Sequence, residues 1–246
     1  FVTGTEPENI SDYLIKSENY GIPQARHRVI LLGVRDDIWE KIGNTVGKLK
    51  LQAQTSVKSA IGKLPALRSG FTGRKDLLDE WKQYLSEIVN AEFFTEFSED
   101  VQQTIITYAQ QRKSFSAERS STERYKIDNI LLDGWYGDPQ LQSYLNHETR
   151  AHMASDLYRY LFVAIMGELK KHSPQLKDFP DDLLPKHNNV IKRADKDDKK
   201  VSSEQKFADR FKVQVWDNPS STITSHISKD GHYFIHPDPL QCRSLT

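Results

Sequence analysis

"YGIPQARHRVILLGVR", residues 20–35, is the stretch on which the reading of this chain turns. The apolar run from Val29 to Val34 has the continuous pattern of a strand covered on both faces. It is introduced by Pro23-Gln24 and then by two arginines at alternate positions. Alternation sets Arg26 and Arg28 on one side of an extended chain. Two guanidiniums and an amide beside an apolar strand read as a site for something anionic or planar.

Working outward, 246 residues allow one large domain or two small ones. Lys plus Arg number 34 and Asp plus Glu 34, so the net charge is zero. That excludes a wholly basic nucleic-acid coat but leaves room for a local basic face. The single cysteine, Cys242, excludes an internal disulfide and a cysteine zinc site, and it fits a reducing cytoplasm. No apolar run approaches the roughly 20 residues of a membrane span, so no membrane partner is expected. The start, FVTGTEPENI, has neither an initiator Met nor a signal-peptide pattern. The expectation is a chain that begins inside a longer protein.

From Val57 the texture becomes that of amphipathic helices. "SVKSAIGKLPALRSG" predicts a short helix stopped by Pro65. "LLDEWKQYLSEIV" carries Leu77, Trp81, Leu85 and Val89 at intervals of four, one apolar stripe. "SEDVQQTIITYAQQRKS" has Ser98 as a candidate N-cap, acids in its first turn and bases at its end. "SDLYRYLFVAIMGELKKHS" is the strongest helix of all. Residues 191–206 are polar and aperiodic and read as a mobile loop; over 186–212 there are nine Lys/Arg against five Asp/Glu. The tail reads as strands: Val213 and Val215 alternate, and "SKDGHYFI" offers an Asp-Gly hairpin turn.

Pro23, Gln24, Arg26 and Arg28, with Tyr20-Gly21 before and Val-Ile-Leu-Leu-Gly after, resemble the eighth conserved block of the DNA (cytosine-5)-methyltransferases. "PSSTITSHISKDGHYFIHPDPLQCRSLT", residues 219–246, resembles that family's ninth block and the segment leading out of it. In the family, the interval between these blocks holds the variable target-recognition domain. "NHETRAHMASDLYRY", residues 146–160, resembles a stretch from a bacterial branch of the family.

The resemblance implies an enzyme that flips a cytosine out of duplex DNA and methylates carbon 5 from S-adenosylmethionine. It gives Arg28 the task of holding the cytosine carbonyl oxygen, with Arg26 and Gln24 orienting the pocket. A guanidinium suits this, because it polarises a carbonyl and stays charged at any working pH. Within the ninth block, Thr222 would meet the DNA backbone, with Ser221, Thr224, Ser225, His226 and Lys229 as neighbours. Arg150, His152 and Arg159 either face phosphates or pack and cap the long helix. "RSGFTGRKD", residues 68–76, has the glycines, hydroxyls and bases of a phosphate-facing loop. His147 and His152 are five apart with no third ligand type nearby in sequence, so no metal is expected.

Some of the family's blocks do not occur. There is no Pro-Cys pair, Cys242 lies downstream of the ninth block and reads as a partly buried structural thiol, and Glu8-Asn9-Ile10 stands too close to Gln24 to be the glutamate block. The glycine-rich cofactor loop and the final Gly-Asn block are absent too. This chain alone is therefore expected to be inactive and to bind no S-adenosylmethionine, its partners being double-stranded DNA and an N-terminal catalytic half.

The expected architecture is α/β, mixed α+β in this segment. Residues 1–49 would end a Rossmann-like methyltransferase sheet, 50–211 would form a largely helical target-recognition domain, and 212–246 would be ninth-block strands leading back to the catalytic domain. The function implied is target recognition within a cytoplasmic, bacterial restriction–modification methyltransferase. The alternatives are a non-catalytic DNA-binding module, either a relic or a subunit of a split enzyme, and a purely structural α+β domain. With its partner strands elsewhere, residues 28–34 are expected to expose an apolar, unpaired edge.

Overall fold

The computed structural model describes residues 9–43, 47–121, 123, 138, 140–185, 209–229 and 231–246, without the side chains of His226 and Ser228. In chain order the regular elements are β1 (Ile15–Lys16), β2 (Gln24–Ala25), β3 (His27–Arg28), α1 (Asp36–Lys41), α2 (Val57–Ile61), β4 (Gly70–Phe71), α3 (Leu78–Ser86), α4 (Glu99–Arg112), β5 (Ala151–His152), α5 (Ala154–Lys170) and β6 (Ser220–Ser221). The strands form three two-stranded sheets: β1 antiparallel to β3, β2 parallel to β6, and β4 parallel to β5. The fold is thus mixed helix and strand. It divides into two compact units, one of Phe1–Gly62 with Asp217–Ile223 and one of Lys63–Trp216 with Thr224–Thr246.

The first unit is built around the quoted stretch. A 3-10 turn over Ser17–Tyr20 ends at Gly21, whose φ of 80° lies in the left-handed region that glycine occupies without strain. The Gly21 carbonyl accepts from Thr55 Oγ1 at 3.0 Å, and the Gln52 amide donates to the Asn19 carbonyl at 2.9 Å. The segment before α2 is thereby fastened along the Tyr-Gly turn. Ser56 caps α2 by accepting from the Ser59 amide, and the Val57 amide donates to the Asn218 carbonyl at 2.8 Å.

The second unit has the larger core. Along α5, Leu157, Tyr160, Leu161, Phe162, Val163, Ala164 and Ile165 are all buried. A helix apolar on every side must be enclosed by its neighbours, and burying each large side chain contributes roughly 1.5–3 kcal/mol. The enclosure comes from Trp81, Leu85 and Ile88 around α3, from Val101 and Ile105 of α4, and from Phe179, Phe211 and Ile235. Tyr84 stacks on Tyr158 with centroids 4.5 Å apart, and Phe97 on Phe162 at 5.1 Å. Gly167 allows a close approach, since a Cβ there would stand 2.8 Å from Val213 Cγ1.

The structure alters several expectations. Of the expected strand only its start is paired, through His27–Arg28, while Val29, Ile30, Leu31 and Leu32 are 55%, 65%, 92% and 60% exposed, as expected of an apolar edge without partner strands. No strand among the described residues pairs with this run. The tail is mostly turns: Val213 meets Ile235 in a single parallel bridge, and Ile235 meets Ser244 in an antiparallel one. Where a hairpin was expected, Gly231–Tyr233 is a 3-10 turn, and Asp230 lies outside the described residues. Leu77 is exposed, and Ile88 takes its place in the apolar stripe. The expected loop at 191–206 and Glu8 fall outside the described residues. Among the described residues, no helix is long and apolar enough to cross a membrane.

Candidate functional site

Pro23, Gln24 and Ala25 are gripped from the far end of the chain. The amide and the hydroxyl of Ser220 both donate to the Pro23 carbonyl at 3.0 Å. Thr222 Oγ1 donates to the Ala25 carbonyl at 2.8 Å, and the Ile223 amide donates to Gln24 Oε1 at 3.0 Å. With the parallel register Gln24↔Ser220 and Ala25↔Ser221, these bonds form one clamp inside the first unit. The strand pair alone is two residues long; the three side-chain bonds make it specific, each with a net value of about 1 kcal/mol.

On the other side β1 pairs with β3, Ile15 opposite Arg28 and Lys16 opposite His27, and Ser17, just after β1, donates from its hydroxyl to the Gln24 carbonyl at 2.6 Å. The Arg26 amide donates to the Gln24 carbonyl at 3.0 Å, closing a three-residue turn over Ala25. This turn separates Gln24 from the two arginines. The Gln24 amide group is directed to Ile223, whereas Arg26 and Arg28 come after the turn and are exposed. One N–H of the Arg28 guanidinium donates to the His27 carbonyl at 2.7 Å, which leaves most of its five donors for another partner. His27 Nε2 meets Glu18 Oε1 at 2.8 Å, and that contact helps hold the Glu18 carboxyl below its usual range against the opposing effect of burial.

The ninth-block residues are divided by the architecture. Ser221 and Thr222 belong to the clamp, and the Thr222 hydroxyl proton is directed at Ala25. Thr224 and Lys229 are exposed and lie in the second unit, beside the 3-10 turn Ser225–Ser228. The His226 side chain falls outside the described ones. Arg150 is exposed in the second unit, and its Nη1 donates to the Ile227 carbonyl, tying the 225–228 turn to the start of β5.

Of the bases read either as phosphate contacts or as packing groups, Arg159 is interior and His152 half-buried. Arg159 is 5% exposed; it donates to Asp156 Oδ1 at 2.7 Å, to the Leu183 carbonyl at 2.6 Å and to the Leu184 carbonyl at 3.0 Å. Its guanidinium lies 5.5 Å from the Phe211 ring centroid. His152 lies between Tyr160 and Ser244, 3.4 Å from each hydroxyl, and burial with nearby cations lowers its pKa to about 4. In the 68–76 loop Arg68 is buried against Asp76 at 2.7 Å, while Arg74 lies outside over the Phe71 ring at 4.5 Å. His147 Nε2 donates to the Pro65 carbonyl at 2.8 Å. Among the described residues, no cluster of three or more metal-ligating side chains occurs.

Cys242 is fully buried with its Sγ donating to the Leu157 carbonyl at 3.0 Å, and burial raises its thiol to about 12. Such a thiol is a packing group and not a nucleophile. Sequence reasoning missed Ser17 and Ser220, whose hydroxyls complete the site. Their only signal is a serine at the end of a strand, which is commonplace.

The family profile of C-5 cytosine-specific DNA methylases matches residues 9–163, well over half of the chain, and includes Pro23–Arg28 but not Ser220–Ile223. A 61-residue stretch is 52% identical to the Type II methyltransferase M.Bpa9945I of Bacillus paralicheniformis, covering 25% of this chain and 13% of that protein's length. No solved structure matches. The chain belongs to the C-5 cytosine-specific DNA methylase family.

Proposed function

We propose that this chain supplies the flipped-base pocket strand and the target-recognition region of a DNA (cytosine-5)-methyltransferase of the bacterial restriction–modification type. The observation that carries the reading is the clamp, in which Gln24 and the Pro23 and Ala25 carbonyls are bonded to Ser220, Thr222 and Ile223 across nearly 200 residues. Accidental matches would have no reason to meet in space. In this reading Arg28 donates to the carbonyl oxygen of the extruded cytosine, and Arg26 supplies a second fixed positive charge beside it. The second unit reads the duplex, with Arg150, Thr224, His226 and Lys229 against phosphates and further side chains against base edges.

S-adenosylmethionine is the methyl donor that the family implies, and the described residues of the first unit do not fit it. A Cβ on Gly33 or Gly47 would meet nothing within 4 Å, and Gly21 is packed against Gln52, so these glycines form no cradle for an adenosyl group. The part of this chain is accordingly the pocket and the DNA surface. Catalysis requires the N-terminal half, in the same polypeptide or as a separate subunit.

The test is transfer of a tritiated methyl group to carbon 5 of cytosine in unmethylated duplex DNA by the full-length protein with its catalytic half. Transfer that Arg28→Ala abolishes, while duplex binding persists, is the expected result. Transfer that is indifferent to Arg28→Ala would overturn the pocket assignment. Site-specific binding with no transfer under any pairing of halves would favour the non-catalytic DNA-binding module.

A further inference from the structure

We propose that Ser17 is a positioning residue of the cytosine pocket, acting through its hydroxyl on the turn that aims Arg26 and Arg28. The proposal rests on the pocket reading above. Ser17 directly follows β1, where Ile15 faces Arg28 and Lys16 faces His27. The next antiparallel pair would be Ser17 with Arg26, two residues exchanging both main-chain bonds. Only one of those bonds is present, from the Ser17 amide to the Arg26 carbonyl at a long 3.4 Å. The chain has already curled into the 3-10 turn Ser17–Tyr20, so the Ser17 carbonyl no longer faces Arg26.

The hydroxyl fills that gap. Ser17 Oγ accepts from the Arg26 amide at 2.9 Å and donates to the Gln24 carbonyl at 2.6 Å. With the Arg26–Gln24 bond at 3.0 Å, three polar groups close a ring around the turn at Ala25. The two links made by the hydroxyl are the shortest in the ring. On the other side, Ala25 and Gln24 are held by Thr222 and Ile223. Ser17 is thus the only side chain among the described residues seen to bond the main chain on both flanks of the turn, and it does so one residue before Arg26 leaves for solvent. Misplacement by about 1 Å of a group that touches the reacting base lowers turnover on the order of 100-fold, so a loosened turn should slow the reaction without weakening the hold on DNA.

The experiment compares Ser17→Thr, Ser17→Val and Arg28→Ala in full-length protein with its catalytic half, by steady-state methyl transfer to duplex DNA. Threonine and valine share a shape and differ in the hydroxyl. The valine variant should lose about tenfold or more in kcat, with KM for DNA within about twofold of wild type, and threonine should stay within about threefold. Equal rates for the threonine and valine variants, with Arg28→Ala inactive, would overturn the proposal and leave the pocket reading standing. A valine effect confined to KM would also overturn it. If Arg28→Ala is as active as wild type, the pocket reading itself fails. Ser17→Ala repeats the comparison if the valine variant melts below the assay temperature, and a folded alanine variant as active as wild type overturns the proposal equally.

Discussion

Replacing Gln24 by leucine should open the clamp at one identifiable atom. The substitution keeps most of the side-chain volume and removes Oε1, the acceptor of the Ile223 amide at 3.0 Å. Ile223 is half-buried, so its N–H loses a partner that water replaces poorly, at a cost of about 1–3 kcal/mol. At 1.4 kcal/mol per decade, that corresponds to roughly a 5- to 140-fold faster exchange of the Ile223 amide with deuterium. The Ser220 amide, bonded to Pro23 in the same clamp, should accelerate with it if the clamp opens as one piece. The Gly70 amide, which donates to Arg150 in the second unit, is the internal control and should not change. Residue-resolved hydrogen exchange reads all three at once. An unchanged Ile223 amide would refute the reasoning, because it would mean that the side-chain bond does not hold the segment.

Three further outcomes follow from the second unit. His152 has a folded pKa of about 4 against an ordinary value near 6.5, so the unfolded chain takes up its proton first; stability should be full above pH 6.5 and fall toward pH 4, by up to about 3 kcal/mol, in urea titrations across that range. Burial lowers His147 and His236 in the same direction. Cys242 should remain unmodified by iodoacetamide at pH 8 in the folded protein and react once urea unfolds it; labelling of the native protein would contradict its burial. Arg159→Met should destabilise the unit by about 3–5 kcal/mol, since Asp156 and the Leu183 and Leu184 carbonyls lose their common donor, whereas the paired change Asp156→Leu with Arg159→Met should recover most of that loss in equilibrium unfolding.

The helices were legible in the sequence because their signals are local. Leu-Trp-Leu spacing found α3, the acids after Ser98 found the start of α4, and the apolar density of 155–166 found α5. The Gln-x-Arg-x-Arg signature singled out Gln24, Arg26 and Arg28. What escaped depends on neighbours remote in sequence. A run such as Val29–Leu32 becomes a strand only beside another strand, and its exposure reflects that dependence. Arg159 looks like any helix-surface base until the carbonyls of 183 and 184 are seen to approach it. The turn at Ala25 hides inside a perfect two-residue alternation, because one hydroxyl eight positions upstream decides it.

The clamp also bears on how the chain is made. Pro23 and Ser220 are separated by 197 residues, so at 5–20 residues per second the pocket strand waits roughly 10 to 40 s on the ribosome for its partner. Throughout that interval Pro23, Gln24 and Ala25 lack the partners that hold them, which makes this segment a natural client for a chaperone. Conversely, doubling the span between the two halves of the clamp would add only about 0.6 kcal/mol of closure entropy. The region between them is therefore free to lengthen or be exchanged during evolution at little cost to the strand it interrupts.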